Sequence, residues 1–364
     1  MALQAGIVGL PNVGKSTLFN ALTAAGAESA NYPFCTIEPN TGVVPVPDPR
    51  LEELRSVIES KVILPATVEI VDIAGLVKGA SQGEGLGNQF LGHIRAVDAV
   101  LHVVRCFEDE DIHHVDGSID PIRDIETIDL ELIFADMETV TRRLKRFGKL
   151  AKSGDKEAKL HVSVCNKLNL LLEDGKPARA GEWTEDELGS INEAGLITAK
   201  PVLFVCNVDE SALPDGNEFV ETVAKHAESV GAGVVTICGQ VEAEIAELDP
   251  EERTAFLEDL GLSKPGLHLL ARETYALLGL QTYFTAGPKE IRAWTFDTGW
   301  KAPRCAGVIH TDFQRGFIRA EVYAIPDLLE HGSEAGLKKV GKLRVEGKEY
   351  VVQDGDVMHF LFNV

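Results

Sequence analysis

The chain has 364 residues, 45% hydrophobic and 25% charged, ordinary globular proportions that exclude a disordered or collagen-like chain and leave room for two or three domains. With 35 basic against 57 acidic residues the formal charge is −22, which repels nucleic acid and anionic lipid on average, so any nucleic-acid contact has to be a local patch. Six scattered cysteines without CxxC spacing read as reduced thiols, no apolar run reaches the roughly 20 residues a membrane helix needs, and the expected location is cytoplasmic, with no membrane partner.

The first apolar run, Ala5 to Val8, reads as a strand and feeds Gly9-Leu10-Pro11-Asn12-Val13-Gly14-Lys15-Ser16, which fits G-x-x-x-x-G-K-[ST] ahead of the helical spacing Leu18, Leu22. Strand, glycine loop and helix start are the context this pattern needs. The glycines let N–H groups turn inward around a β-phosphate, the helix start adds a positive dipole end, Lys15 neutralises β/γ oxygens and Ser16 reaches Mg2+. Asn12, Val13, Gly14, Lys15, Ser16 and Thr17 are therefore the expected phosphate site, with Lys15 also catalytic. In the proline-flanked loop Asn31 to Gly42, Thr36 is the expected second Mg2+ ligand, because nucleotide switch loops occupy this interval. Cys35 beside it reads as a packing thiol.

A second run, Thr67 to Val71, ends in Asp72, and with Gly75 this makes D-x-x-G. Asp72 would act on Mg2+ through a bound water, and Gly75 would donate its N–H to the γ-phosphate. Leu76 follows where Ras-type enzymes carry a water-orienting glutamine, so hydrolysis by the isolated chain should be slow. His114 is the candidate to position water if its loop folds over the site; otherwise His113 and His114 are plain loop residues. With Ala99 to Val104, Val202 to Cys206 and Val234 to Cys238, the buried runs predict a mostly parallel, doubly wound α/β sheet.

About a hundred residues separate the third and fourth runs, more than a crossover needs. Within them Ile133, Met137, Val140, Leu144 and Phe147 recur at coiled-coil spacing, resumed by Val164, Leu168 and Leu171, which predicts an antiparallel helical hairpin rather than a helix pair lying on the sheet. Nine basic residues (Arg142, Arg143, Lys145, Arg146, Lys149, Lys152, Lys156, Lys159 and Lys167) face only Asp155 and Glu157 in this stretch. The strip is either a solvated face or a footprint for an RNA phosphate backbone. After the apolar helix Leu267 to Leu280, Tyr283 to Ala286, Ile291 to Phe296, Phe317 to Val322 and Val357 to Phe362 read as strands of a small α+β domain.

Gly9-Leu-Pro-Asn-Val-Gly-Lys-Ser-Thr17, Asn31-Tyr-Pro-Phe-Cys-Thr-Ile-Glu-Pro-Asn40, Asp72-Ile-Ala-Gly-Leu-Val-Lys-Gly-Ala80 and Gly83-Glu-Gly-Leu-Gly-Asn-Gln-Phe-Leu91 together resemble the YchF subfamily of Obg-related P-loop NTPases. The resemblance implies a Ras-like nucleotide domain (1–127 and 196–277), an inserted coiled-coil arm (128–195) and a β-grasp TGS domain (278–364). It also implies association with ribosomes or RNA, for which the basic strip of the arm and the TGS domain are the expected contacts. Where most GTPases carry N-K-x-D, this chain has Asn207-Val208-Asp209-Glu210. That pattern in the subfamily goes with ATP over GTP, so Asn207, Val208 and Glu210 are the expected base site. The rival Asn166-Lys167-Leu168-Asn169 has no acid and falls in the hairpin. In related enzymes lacking the glutamine, an asparagine at the Asn12 position helps hold K+. The expected function is Mg2+-dependent hydrolysis of ATP, with GTP weaker. The alternatives are a GTP-preferring enzyme, and a ribosome- or RNA-binding module that keeps nucleotide as a structural ligand.

Overall fold

The computed structural model describes residues 3–28, 40–73, 86–109 and 117–363. In chain order its strands are β1 (Gln4–Val8), β2 (Thr41–Pro45), β3 (Ile63–Leu64), β4 (Thr67–Asp72), β5 (Ala99–Arg105), β6 (Val202–Asn207), β7 (Gly233–Ile237), β8 (Leu280–Ala286), β9 (Ile291–Asp297), β10 (Phe317–Ala324), β11 (Arg344–Glu346) and β12 (Asp356–Phe362). The helices through the first part of β8's approach are α1 (Lys15–Glu28), α2 (Arg50–Val57), α3 (Leu86–Ala96), α4 (Pro121–Lys152), α5 (Lys156–Glu173), α6 (Glu185–Ala194), α7 (Glu218–Ser229), α8 (Gly239–Glu247), α9 (Pro250–Asp259) and α10 (Gly266–Leu277). Two compact units divide the chain: Met1–Val43 with Glu69–Thr274, and Val44–Val68 with Tyr275–Val364.

The first unit is built on a sheet of order β2-β4-β1-β5-β6-β7, parallel from β4 through β7. Every residue of β5 and β6 is buried. Helices cover both faces of such strands, which is why they read as unbroken apolar runs. β2 alternates in burial and contains Gly42 and Pro45, an edge-strand composition that gives no comparable run and escapes a reading by apolar clusters.

The insertion is a helical hairpin. Asp120 accepts the N–H of Arg123 at 3.1 Å and Pro121 opens α4, an N-cap followed by a proline whose missing donor costs nothing there. The chain reverses at Gly154 (φ 102°), and Asp155 caps α5 by accepting from Ala158 at 2.7 Å. Ile133, Val140, Val164 and Leu168 are buried between the helices, with Met137 and Leu144 partly buried. Leu172, not the expected Leu171, completes the α5 side, because that face also packs on Ala178, Ile191 and Leu196. A third helix, α6, therefore decides the register. At the root of the arm the buried Asp136 carboxylate accepts from Ile197 N (3.0 Å), Thr198 N (2.7 Å) and Thr198 Oγ1 (2.7 Å), fixing α4 to the segment that enters β6.

The second unit carries a mixed sheet of order β11-β10-β12-β8-β9-β3. Its core is Tyr283, Phe296, Phe317, Val322, Met358 and Phe360 under the helix Ala302–Ile309. One boundary differs from the expectation. Residues 44–68, read as part of a continuous 1–127 block, belong to this unit: Ile63 and Leu64 pair in parallel with Ile291 and Arg292. Arg50 binds Asp48 (2.7 Å) and Asp354 (2.6 Å), with its guanidinium carbon 5.0 Å from the Phe284 ring centre. Asp354, Phe284 and the β9 partners lie more than 200 residues away in sequence, and no local pattern announces them.

Candidate functional site

The loop between β1 and α1 is shaped by positions where a side chain is excluded. A Cβ at Gly9 would stand 2.6 Å from the Val103 carbonyl oxygen. Gly14 has φ 96°, and a Cβ there would fall inside contact distance of the Asn207 amide nitrogen. Asn12 holds φ 62°, a left-handed conformation that asparagine tolerates better than most residues. The loop consequently curls over the N-terminus of α1, which starts at Lys15. Lys15 is only 9% exposed, and its Nζ donates to the Leu10 carbonyl at 2.7 Å. Burial lowers its pKa to about 8, against the opposing pull of Asp72. Burial raises the Asp72 carboxyl above the usual carboxylate range, and the Lys15 charge pulls it back down.

A cavity of about 700 Å³ opens from this loop. Asn12, Gly14, Lys15, Ser16 and Thr17 form one end; Asn207, Val208, Asp209, Glu210, the loop Phe107–Asp109, and Cys238, Gly239, Gln240, Ala243, Glu244 and Glu247 at α8 form the rest. Val13 is buried behind the loop. The cavity is polarised, with an ammonium and a helix N-terminus at one end and carboxylates around the other. A polyphosphate chain can therefore enter in one sense only.

Asn207 joins the two ends. Its Nδ2 donates to the Val13 carbonyl at 2.9 Å, and its Oδ1 accepts from Gly239 N at 2.9 Å. The side chain thus ties the phosphate loop to the start of α8, where sequence reasoning had aimed it only at a purine. Asp209 is spent on its own turn, accepting from Ala212 N at 3.1 Å and Ser211 Oγ at 2.5 Å, whereas Glu210 stays exposed on the cavity wall. The rival Asn166–Asn169 lies in α5, and Lys167 is occupied by the Glu182 carbonyl (2.6 Å), Glu187 (3.2 Å) and the Trp183 ring. Asp72 ends β4 beside Lys15 but does not line the cavity. Thr36, Gly75, Leu76 and His114 lie outside the described residues, as do Cys35 and His113.

Ser16 and Asp72 offer a hydroxyl and a carboxylate near Lys15, the hard oxygen donors that Mg2+ prefers; the donor set fits that ion. Sequence reasoning missed the Phe107–Asp109 loop and the α8 wall. The only signal was Cys238-Gly239 after a buried strand, a turn common to many α/β connections.

A parallel sheet with a glycine-lysine loop between its first strand and helix defines a P-loop nucleotide-binding protein of GTPase type. Residues 4–167 match the family profile described as 50S ribosome-binding GTPase, and residues 280–363 match YchF-GTPase_C, described as a protein of unknown function. A Bacillus subtilis protein named Ribosome-binding ATPase YchF is 59% identical across the full length of both chains. Gallus gallus Obg-like ATPase 1 is 44% identical over all of this chain and 93% of its own. The solved structure of the Schizosaccharomyces pombe YchF GTPase superposes with a TM-score of 0.89 at 39% identity, covering 99% of this chain and 97% of that one. The chain belongs to the YchF family.

Proposed function

We propose that this protein is a Mg2+-dependent ATPase that associates with ribosomes and binds GTP more weakly. The observation that carries the reading is the polarised cavity, with Lys15 at its phosphate end and the N-x-x-E segment Asn207 to Glu210 at its base end. Relatives named as ATPases support it. In this reading the loop N–H groups and Lys15 hold the β- and γ-phosphates, and their charge offsets what develops as the β–γ bond breaks. Ser16 and Asp72, with Thr36, would hold Mg2+, which neutralises phosphate oxygens when bound. Gly75 would donate to the γ-phosphate. Glu210 cannot meet both guanine donors as the shorter aspartate of N-K-x-D does, so adenine is favoured. Phosphate release from ATP and GTP by wild type and Lys15→Ala tests the reading: equal release from Lys15→Ala overturns the site, and GTP turned over as well as ATP overturns the nucleotide choice.

Water placement follows one of two routes in this reading. K+ beside Asn12 would raise turnover over Na+ in wild type but not in Asn12→Ala; His114 would lower turnover without weakening ATP binding when changed to alanine.

Seven arm cations (Arg142, Lys145, Arg146, Lys149, Lys152, Lys156 and Lys159) are exposed, and none of them forms an ion pair among the described residues. That supports an RNA phosphate contact through the arm, alongside the TGS-type unit. Arg143 departs from the expected strip: it is withdrawn to 11% exposure, 3.2 Å from His161 Nδ1 and 3.5 Å from Glu193. Reversal to Glu at Arg142, Lys145 and Arg146 should weaken ribosome binding and flatten its salt dependence without changing ATP hydrolysis. Sedimentation with ribosomes across a salt series measures it, and unchanged binding removes the arm from the interface.

A further inference from the structure

Arg105 ends β5, is 1% exposed and is the largest fully buried side chain among the described residues. A guanidinium withdrawn from water has to have its N–H groups bonded, and two of those bonds go to the loop that follows it. Nε donates to the Phe107 carbonyl at 3.1 Å and Nη2 to the Asp109 carbonyl at 3.2 Å. The Phe107 ring lies over the guanidinium, 4.5 Å from its carbon. The near end of the loop is fixed separately: Cys106 N donates to Asn207 O at 2.8 Å, and Asn217 Nδ2 donates to Cys106 O at 2.7 Å.

Because the Phe107 and Asp109 acceptors are backbone carbonyls, these two bonds from the fork set the course of the chain and not the choice of loop side chain. With carbonyls 107 and 109 turned toward Arg105, Phe107, Glu108 and Asp109 line the cavity, together with the Asn207–Glu210 segment and α8. We propose that Arg105 is a positioning residue for nucleotide binding and choice, fixing the Phe107–Asp109 wall at the base end of the cavity. The proposal rests on the reading of that cavity as the ATP site. Arg105 acts on the wall of the cavity and not on the reacting phosphates, so its removal should appear in KM and in the ATP-to-GTP ratio, not in kcat.

The test is steady-state hydrolysis of ATP and GTP by full-length Arg105→Lys and Arg105→Met, with amide hydrogen exchange in the nucleotide-free proteins. A lysine ammonium keeps the charge but lacks the two-pronged geometry that spans both carbonyls. Since bonds from a charged donor are among the stronger ones, KM for ATP should rise about tenfold in Arg105→Lys and further in Arg105→Met, with kcat held within about twofold. The preference for ATP should shrink, and exchange should quicken at 107–109 while α1 keeps its protection. A fall in kcat at unchanged KM overturns the proposal, as does an unchanged KM in Arg105→Lys, or exchange that quickens evenly through β5 and β6. If Arg105→Met does not fold, Arg105→Lys decides alone. Lys15→Ala, run beside them, separates the two levels: wild-type ATP binding in Lys15→Ala removes the cavity reading, whereas its loss beside an unaltered Arg105→Lys removes only this inference.

Discussion

The two ends of the cavity are made in different ways. The end proposed to take the phosphates is one contiguous stretch, Gly9 to Thr17, whose shape follows from two glycines, a left-handed asparagine and a helix start. The end proposed to take the base is assembled from three segments far apart in sequence, Phe107–Asp109, Asn207–Glu210 and Cys238–Glu247. A contiguous loop tolerates change elsewhere in the fold, whereas an assembled wall depends on every strand and helix that carries it. Damage at the phosphate end should therefore cost binding and chemistry together, and damage at the base end should cost stability and selectivity.

The largest effect should come from Lys15→Ala, because among the described residues no other cation lines the cavity. Loss of a preorganised charge at developing phosphate charge should lower kcat/KM for ATP on the order of 10²-fold or more, while the melting temperature of the nucleotide-free protein does not fall, since the buried ammonium is itself costly there. A large loss of melting temperature would mean that Lys15 holds the fold, and the contrast between the two ends would collapse.

Next comes Asn207→Ala, which strands the Val13 carbonyl and the Gly239 N–H, both bonded to the Asn207 side chain. Two backbone groups left without partners should cost about 3 kcal/mol in thermal or urea unfolding, with ATP binding weakened as well. A variant that melts like wild type would show that water fills the gap at no cost and that the two ends are not joined through this residue.

The nucleotide preference is smaller. Titration calorimetry should give ATP about tenfold tighter than GTP, and Glu210→Asp should narrow that gap, because mispaired polar groups at a base discriminate strongly. If the aspartate variant keeps the full preference, the Phe107–Asp109 and α8 walls set the choice and the N-x-x-E segment does not.

The smallest effect is a pH dependence that belongs to the phosphate end alone. The Lys15 pKa is lowered to about 8 by burial, so the free protein releases this proton as pH rises through 8, while a bound polyphosphate demands the charged form. ATP affinity should fall several-fold between about pH 8 and 9.5, with proton uptake on binding near pH 8 seen as a buffer-dependent calorimetric enthalpy. For the fold the sign is opposite: the unfolded chain, with its lysine near 10.5, holds more protons in this window, so the Lys15 penalty shrinks and the nucleotide-free protein gains stability as pH rises. Lys15→Arg should abolish the proton uptake. Unchanged uptake in that variant would assign the proton to another group.

The arm shows the same division on a larger scale. Ile133, Val140, Val164 and Leu168 announce a helical hairpin through spacing alone, because a helix presents every third or fourth residue to its neighbour. Leu172 in place of Leu171, and the retreat of Arg143 between His161 of α5 and Glu193 of α6, go with the packing of α6 on the hairpin, whose position no periodicity within the hairpin encodes.

The sequence by itself determined what is local in cause: the glycine-lysine loop ahead of α1, the buried parallel strands and the helical hairpin, since each depends on residues within a few positions of one another. Only the tertiary structure decided the base end, the second role of Asn207 as a tie between loop and α8, the burial of Arg105 beneath the loop it shapes, and the placing of residues 44–68 with the C-terminal sheet. Apart from the Arg105 bonds, which reach only two and four residues along the chain, each of these depends on hydrogen bonds or strand register between residues tens to hundreds of positions apart. Such contacts exist once the chain has packed, and a single sequence carries no periodic trace of them.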